Sequence, residues 1–252
     1  MATSDGSWAG SQPLPLYLAA NPPTGERNRL TCGLRLIWVI PQIIVLFFLG
    51  IAAFVVLVIG WFGALITGRL PQFAEDFLSG VLRWSTRVYG YFFFLTDDYP
   101  PYSLEPEEQY PIVISIPPPD ELNRLSVLFR IFLAIPAAIV TSVVVAGLEF
   151  VSIASWAVIL FTGELPDPLY DAARAVMRYA TRYYGWFAML TAEYAWGLLG
   201  DVPSDSYETP AQAPAEGASG WTIRLTSEAR TVMIVIIVIG AIVTLFNGIR
   251  YR

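Results

Sequence analysis

The side chains with the reach to do chemistry in this chain are carboxylates and arginines set among apolar residues. Glu149 stands midway between Pro136 and Thr162 in an otherwise apolar run. A charge near the centre of a bilayer costs about 2.5 to 3.5 kcal/mol on insertion scales unless it is paired or protonated. Ser142, Ala146, Ser152 and Ser155 lie around it at helical spacing, a small and polar face suited to close helix contact. Two readings stand: an ion pair with an arginine inside a helix bundle, or a proton relay, ion relay or ligand contact. Further on, Asp167, Asp171, Arg174, Arg178 and Arg182 recur at spacings of three and four, which puts them on one helical face. Arg83 and Arg87 are their earlier counterparts. Such a stripe either holds helices together or forms a basic pocket for an anionic lipid headgroup. Tyr179, Tyr183, Tyr184 and Trp186 in one copy, and Trp84, Tyr89 and Tyr91 in the other, supply interfacial aromatics beside it.

Missing residue types narrow the chemistry further. The chain has no His and no Lys, and all 15 basic residues are Arg. Without His there is no His-ligated metal or haem site and no Ser/His/Asp or Cys/His nucleophile pair. The single Cys32 allows neither an intrachain disulfide nor a CxxC motif. No Gly-rich phosphate loop is present. The expectation is therefore a protein that is not an enzyme, with no cofactor and no metal.

The elements that must position these residues are membrane elements. Hydrophobic residues make up 55% of the 252 and charged ones 14%, against roughly 25% charged in a soluble domain. From Leu36 to Gly68 there is no charge at all. As one helix that run is about 50 Å long, against a hydrocarbon core of about 30 Å. Pro41 suggests a tilted lead-in over 28–40 followed by a span to Thr67; a re-entrant hairpin turning near Gly50 is the alternative, and it would put Glu149 of the second copy at a tip.

The run is half of a duplicated unit. Residues 28–99 match 123–194 without gaps at 26 of 72 positions. Arg35 recurs as Arg130, Pro41 as Pro136, Trp61 as Trp156, Arg83 as Arg178 and Arg87 as Arg182, while Phe54 gives way to Glu149. Each unit opens on a short extended segment, LPLYL at 14–18 and YPIVISI at 110–116, and these pair in a small sheet if both lie on one side of the membrane. A long apolar helix follows, stopped by TGRLP or TGELP, and then a second helix over about 73–96 or 168–191. We expect both helices to span, although the second has the charge pattern to lie in the interface instead. Residues 201–220 read as a disordered linker, and Thr226 or Ser227 caps a last apolar helix.

The expected architecture is thus an all-α integral membrane protein: tandem two-helix units with about four spans, plus a C-terminal transmembrane helix. Its parts are a disordered 1–13, repeats over 14–109 and 110–200, the 201–220 linker and a 221–252 anchor. The first dozen residues predict no cleavable leader. Arg27, Arg29, Arg35, Arg124 and Arg130 put the unit starts in the cytoplasm and the TG(R/E)LP turns outside.

Thr67 to Pro71, Gly80 to Trp84, Arg87 to Tyr91 and Leu95 to Leu104 (TGRLP, GVLRW, RVYGY, LTDDYPPYSL) resemble the motifs of the bacterial membrane-protein family known as domain of unknown function 4389. The second copy departs from them at Glu164, which replaces Arg69, and at TAEYAWGLL, which replaces TDDYPPYSL. The resemblance implies a multi-pass protein of the bacterial inner membrane and supplies no activity. The function expected is a non-enzymatic accessory or scaffold subunit of a membrane or envelope complex, in contact with lipids and other membrane subunits and not with nucleic acid. The alternative is a small lipid or ion transporter working at the repeat interface.

Overall fold

The computed structural model describes residues 16–23, 27–107, 109–116, 121–195, 197–199 and 225–250. The N-terminal stretch 1–13 and the 201–220 linker lie outside the described residues. The elements run β1 (Tyr17–Ala20), α1 (Arg29–Thr67), α2 (Gln72–Phe92), β2 (Ile112–Ser115), α3 (Arg124–Leu128), α4 (Arg130–Thr162), α5 (Asp167–Phe187) and α6 (Ser227–Arg250).

The duplication is legible in the caps. Asn28 accepts from the amides of Leu30 and Thr31, and Asn123 accepts from those of Leu125 and Ser126, so each unit starts on the same side-chain cap. Each long helix ends on a left-handed glycine, Gly68 at φ +79° and Gly163 at φ +83°, a conformation that only glycine takes without strain. Thr226 accepts from the Ala229 amide and opens α6.

Between those caps α1 is continuous through Pro41, so lead-in and span are one helix of 39 residues and the hairpin at Gly50 is excluded. In the second copy the lead-in breaks at Phe129, not at Pro136, leaving α3 and α4 as separate helices. The buried residues of α1 lie toward its two ends, Cys32, Arg35, Val39 and Gln42 at one and Gly60 and Ala64 at the other, with Leu46, Leu49, Ala53, Val56 and Leu57 half-buried between them. The rest is exposed and apolar, with Phe47, Ile51, Phe54 and Val58 among its outward residues.

α1, α4 and α6 are the helices, among the described residues, long and apolar enough to cross a membrane. α2 and α5 do not join them. Glu75, Asp76, Arg83 and Arg87 in one, and Asp167, Asp171, Arg174, Arg178 and Arg182 in the other, leave no uncharged window of sufficient length. The expected spans by α2 and α5 are therefore without support.

The two units face each other across a local dyad. β1 and β2 pair antiparallel with Tyr17 opposite Ser115 and Ala20 opposite Ile112, and 17 + 95 is 112 while 20 + 95 is 115. The Arg27 amide donates to the Gly163 carbonyl at 3.0 Å, and the Leu122 amide donates to the Gly68 carbonyl at 2.8 Å. Those are the same bond made once by each copy, since 27 + 95 is 122 and 68 + 95 is 163. On the dyad, where α2 meets α5, the Thr86 and Thr181 hydroxyls lie 3.5 Å apart. This is the self-complementary contact of a two-fold dimer, built within one chain.

The dyad also joins the ends of the units. Each unit start is hydrogen-bonded to the turn that ends the other unit's long helix, so the start of one unit and the TG(R/E)LP turn of the other lie together. Arginine counting weighs each segment separately and carries no information on how two copies dock.

Candidate functional site

The arginines that the sequence singles out are positioned by α2 and α5, and most of them turn inward. Arg87 donates to the carbonyls of Ser103 at 2.6 Å and Glu105 at 3.2 Å, which fastens the loop after α2 onto that helix. Arg178 donates to Leu18 O at 2.6 Å and Arg182 to Leu16 O at 3.1 Å, so the second unit grips β1 and the residue before it in the first. Arg83 reaches Ser79 Oγ on its own helix, and Arg174 pairs with Asp171 at 3.2 Å. Arg83 also lines an open cleft of about 380 Å³ with Glu75, Asp76, Ser79 and Glu105. The stripe is thus split: Arg87, Arg178 and Arg182 hold backbone, while Arg83, Asp171 and Arg174 form the more open end. Glu149 sits apart from all of them, on the exposed face of the continuous α4, and makes no ion pair among the described residues. Of its expected neighbours, Ser152 and Ser155 are buried and donate to carbonyls of their own helix, and Ser142 is exposed.

A second charged cluster was not singled out by the sequence. Asp97, in the loop after α2, receives Arg35 at 2.5 Å and Arg27 at 3.3 Å. Both arginines continue to backbone, Arg35 to Tyr91 O at 2.6 Å and Arg27 to Phe94 O at 2.9 Å. Arg35 also stacks over the rings of Tyr91 and Phe94, at 4.4 and 4.6 Å. Burial pulls the Arg27 guanidinium below its usual range and Asp97 opposes that shift. Beside the cluster, burial pushes the Tyr110 phenol well above its usual value, and its hydroxyl donates to Asp98 O at 2.9 Å. In the exposed loop, the hydrogen bond between Tyr99 and Tyr102 raises the Tyr102 phenol to about 12.

Gln42, the one strongly polar side chain of the first apolar run, is 0% exposed. It donates to Pro100 O at 2.7 Å and accepts the Trp84 indole N–H at 2.9 Å, joining α1, α2 and the loop at one point. Replacing it with Leu leaves both partners buried and unsatisfied. The expected loss is about 2 to 4 kcal/mol, read as a lower melting temperature of the protein in detergent.

Across the described residues, no group of three or more His, Cys, Asp or Glu is arranged to hold a metal ion. What the arginine arrangement does chemically is neutralise carbonyl dipoles and two part-buried carboxylates, Asp97 and Asp171.

No curated protein matches this chain, and no solved structure matches it. The family model described as "Domain of unknown function (DUF4389)" matches twice, over residues 29–103 and 124–198, and each match runs from the start of a unit past its second helix. With two tandem copies covering more than half of its length, the chain belongs to the DUF4389 family.

Proposed function

We propose that this protein is a non-enzymatic, membrane-embedded accessory or scaffold subunit of a larger envelope assembly. The observation that carries the reading is that Arg87, Arg178 and Arg182 donate to the chain's own backbone carbonyls. Charges of this kind hold a duplicated unit in shape. Extraction in mild detergent is expected to recover the chain in a complex larger than one protomer, and recovery only as a solitary protomer overturns the reading.

The same proposal seats the protein in the membrane from one side, with the outward faces of α1 and α4 in lipid and α2, α5 and the acidic loops toward water. Helix length supports this. At about 1.5 Å per residue the 39 residues of α1 reach roughly 58 Å, nearly twice the hydrocarbon thickness, and a helix lying along the membrane has no such mismatch. The connection after α2 supports it too. Phe94 is bonded to Arg27 beside the start of α1, and Leu122 is bonded to Gly68 at its end. With those ends on opposite sides, Asp97, Asp98, Glu105 and Glu107 would cross the lipid on irregular backbone, which hydrocarbon does not tolerate. Single cysteines at positions 69, 105 and 164 are expected to react with an impermeant maleimide from the same side. Labelling of 69 and 164 from opposite sides rejects the one-sided seat.

The transporter alternative turns on Glu149. Because its side chain is exposed and pairs with nothing among the described residues, Glu149→Gln is expected to change stability by no more than about 0.5 kcal/mol. Ion flux in reconstituted vesicles is expected to be the same for both proteins; flux present in wild type and lost in the variant would favour the transporter.

A further inference from the structure

The two copies treat one buried arginine differently. In the first, Arg35 is neutralised by Asp97. In the second, the equivalent of Arg35 is Arg130 and the equivalent of Asp97 is Ala192, each 95 residues on. Arg130 keeps the burial, at 3% exposed, and keeps the aromatic partner, lying 4.7 Å over Trp186 where Arg35 lies over Tyr91. It has lost the carboxylate. Its Nε and Nη1 are buried without a hydrogen-bond partner, and among the described residues no acidic group pairs with it. The positions of Arg27 and Cys32, which border Asp97 in the first copy, are held in the second by Leu122 and Val127, so the replacement site has no second cation and no thiol.

A guanidinium taken out of water with no anion beside it carries a desolvation penalty that a cation–π contact only partly offsets. The loop segment that replaces the Asp97 segment lies at the surface: Ala192, Glu193 and Tyr194 are exposed, and Tyr194 donates to Leu133 O while its ring meets, at 4.9 Å, the same Trp186 ring that the Arg130 guanidinium lies over. From this we infer that Arg130 is an oxyanion-binding site, in which a carboxylate or phosphate group from outside the fold takes the place that Asp97 holds in the first copy. An Arg fork matches either group with two parallel N–H donors. The oxyanion comes either from a soluble ion or from an anionic lipid headgroup.

The test uses the full chain, stripped of lipid in a neutral detergent. Inorganic phosphate and, separately, phosphatidylglycerol in mixed micelles are the probes, and thermal unfolding is the readout, with equal ionic strength from chloride as the blank. A well-filled site raises the melting temperature by about 5 °C at a hundredfold excess over Kd. A shift with phosphate assigns a soluble oxyanion, and a shift with the lipid alone assigns the headgroup. Arg130→Gln is expected to abolish either shift. Should that variant fail to fold, Ala192→Asp decides the matter: it supplies the missing carboxylate, so it is expected to melt higher than wild type without any probe and to ignore both. Absence of a shift from both probes in wild type overturns the site, as does an undiminished shift in Ala192→Asp.

Discussion

Asp97→Ala is expected to lower the stability of the protein by about 3 to 5 kcal/mol, the cost of removing one partner from a buried ion pair. Two cations depend on that carboxylate. Arg35 has 1% of its side chain exposed and Arg27 has 5%, and the carboxylate itself, at 26%, is open enough to put the expected loss toward the lower figure. A whole domain is stable by only about 5 to 15 kcal/mol, so the variant should melt many degrees earlier in detergent or fail to accumulate. Asp98→Ala is the control. The group of Asp98 that the fold uses is its backbone carbonyl, which receives Tyr110, so loss of the side chain is expected to fall within about 0.5 kcal/mol. Equal losses in the two variants would mean that the loop needs its net charge and that the pairing with Arg35 and Arg27 contributes little.

That prediction also explains what the sequence leaves hidden. The repeat, the Asn caps and the glycine stops are readable because each acts within a few residues of itself. Gly68 and Gly163 announce the helix ends, and Asn28 and Asn123 announce the starts. The docking of the copies is not readable, because the bond from Leu122 to Gly68 joins two backbone groups and leaves no trace in residue type. The same holds for Arg87, Arg178 and Arg182. Their acceptors are carbonyl oxygens, which every residue carries, so a pattern of arginines alone does not tell a lipid site from a backbone clamp. Glu149 drew notice as the misfit within its copy, yet it points outward. The informative misfit lay elsewhere, at Ala192, where a carboxylate disappears while its buried arginine stays, and it acquires meaning only once Arg35 and Asp97 are seen in contact.

Gly240→Ala is expected to destabilise the protein by about 3 kcal/mol, the upper part of the range for overpacking, because the added methyl would land on backbone. A Cβ at Gly240 meets the Val143 carbonyl oxygen, and one at Gly147 meets the Ile236 carbonyl oxygen, both far inside contact distance. Neither carbonyl is the free end of a side chain, so the helices have to separate. Val143 to Gly147 and Ile236 to Gly240 are one turn each, and this close approach of two backbones through small residues is how apolar helices associate without a hydrophobic drive between them. Gly248→Ala, near the C-terminal end of the same helix with nothing within 4 Å, is the control and is expected to be neutral or more stable by up to about 1 kcal/mol through helix propensity. Melting in detergent and protease release of α6 measure both. The first copy differs at the positions where α6 seats on α4: Ala52 stands where Gly147 is, and Phe48 where Val143 is, so the matching face of α1 carries a methyl and a ring where α4 has no side chain and a smaller one. If Gly240→Ala leaves α6 in place and the melting temperature unchanged, the contact with α4 is loose, and a different cause must be found for the asymmetric docking of the last helix.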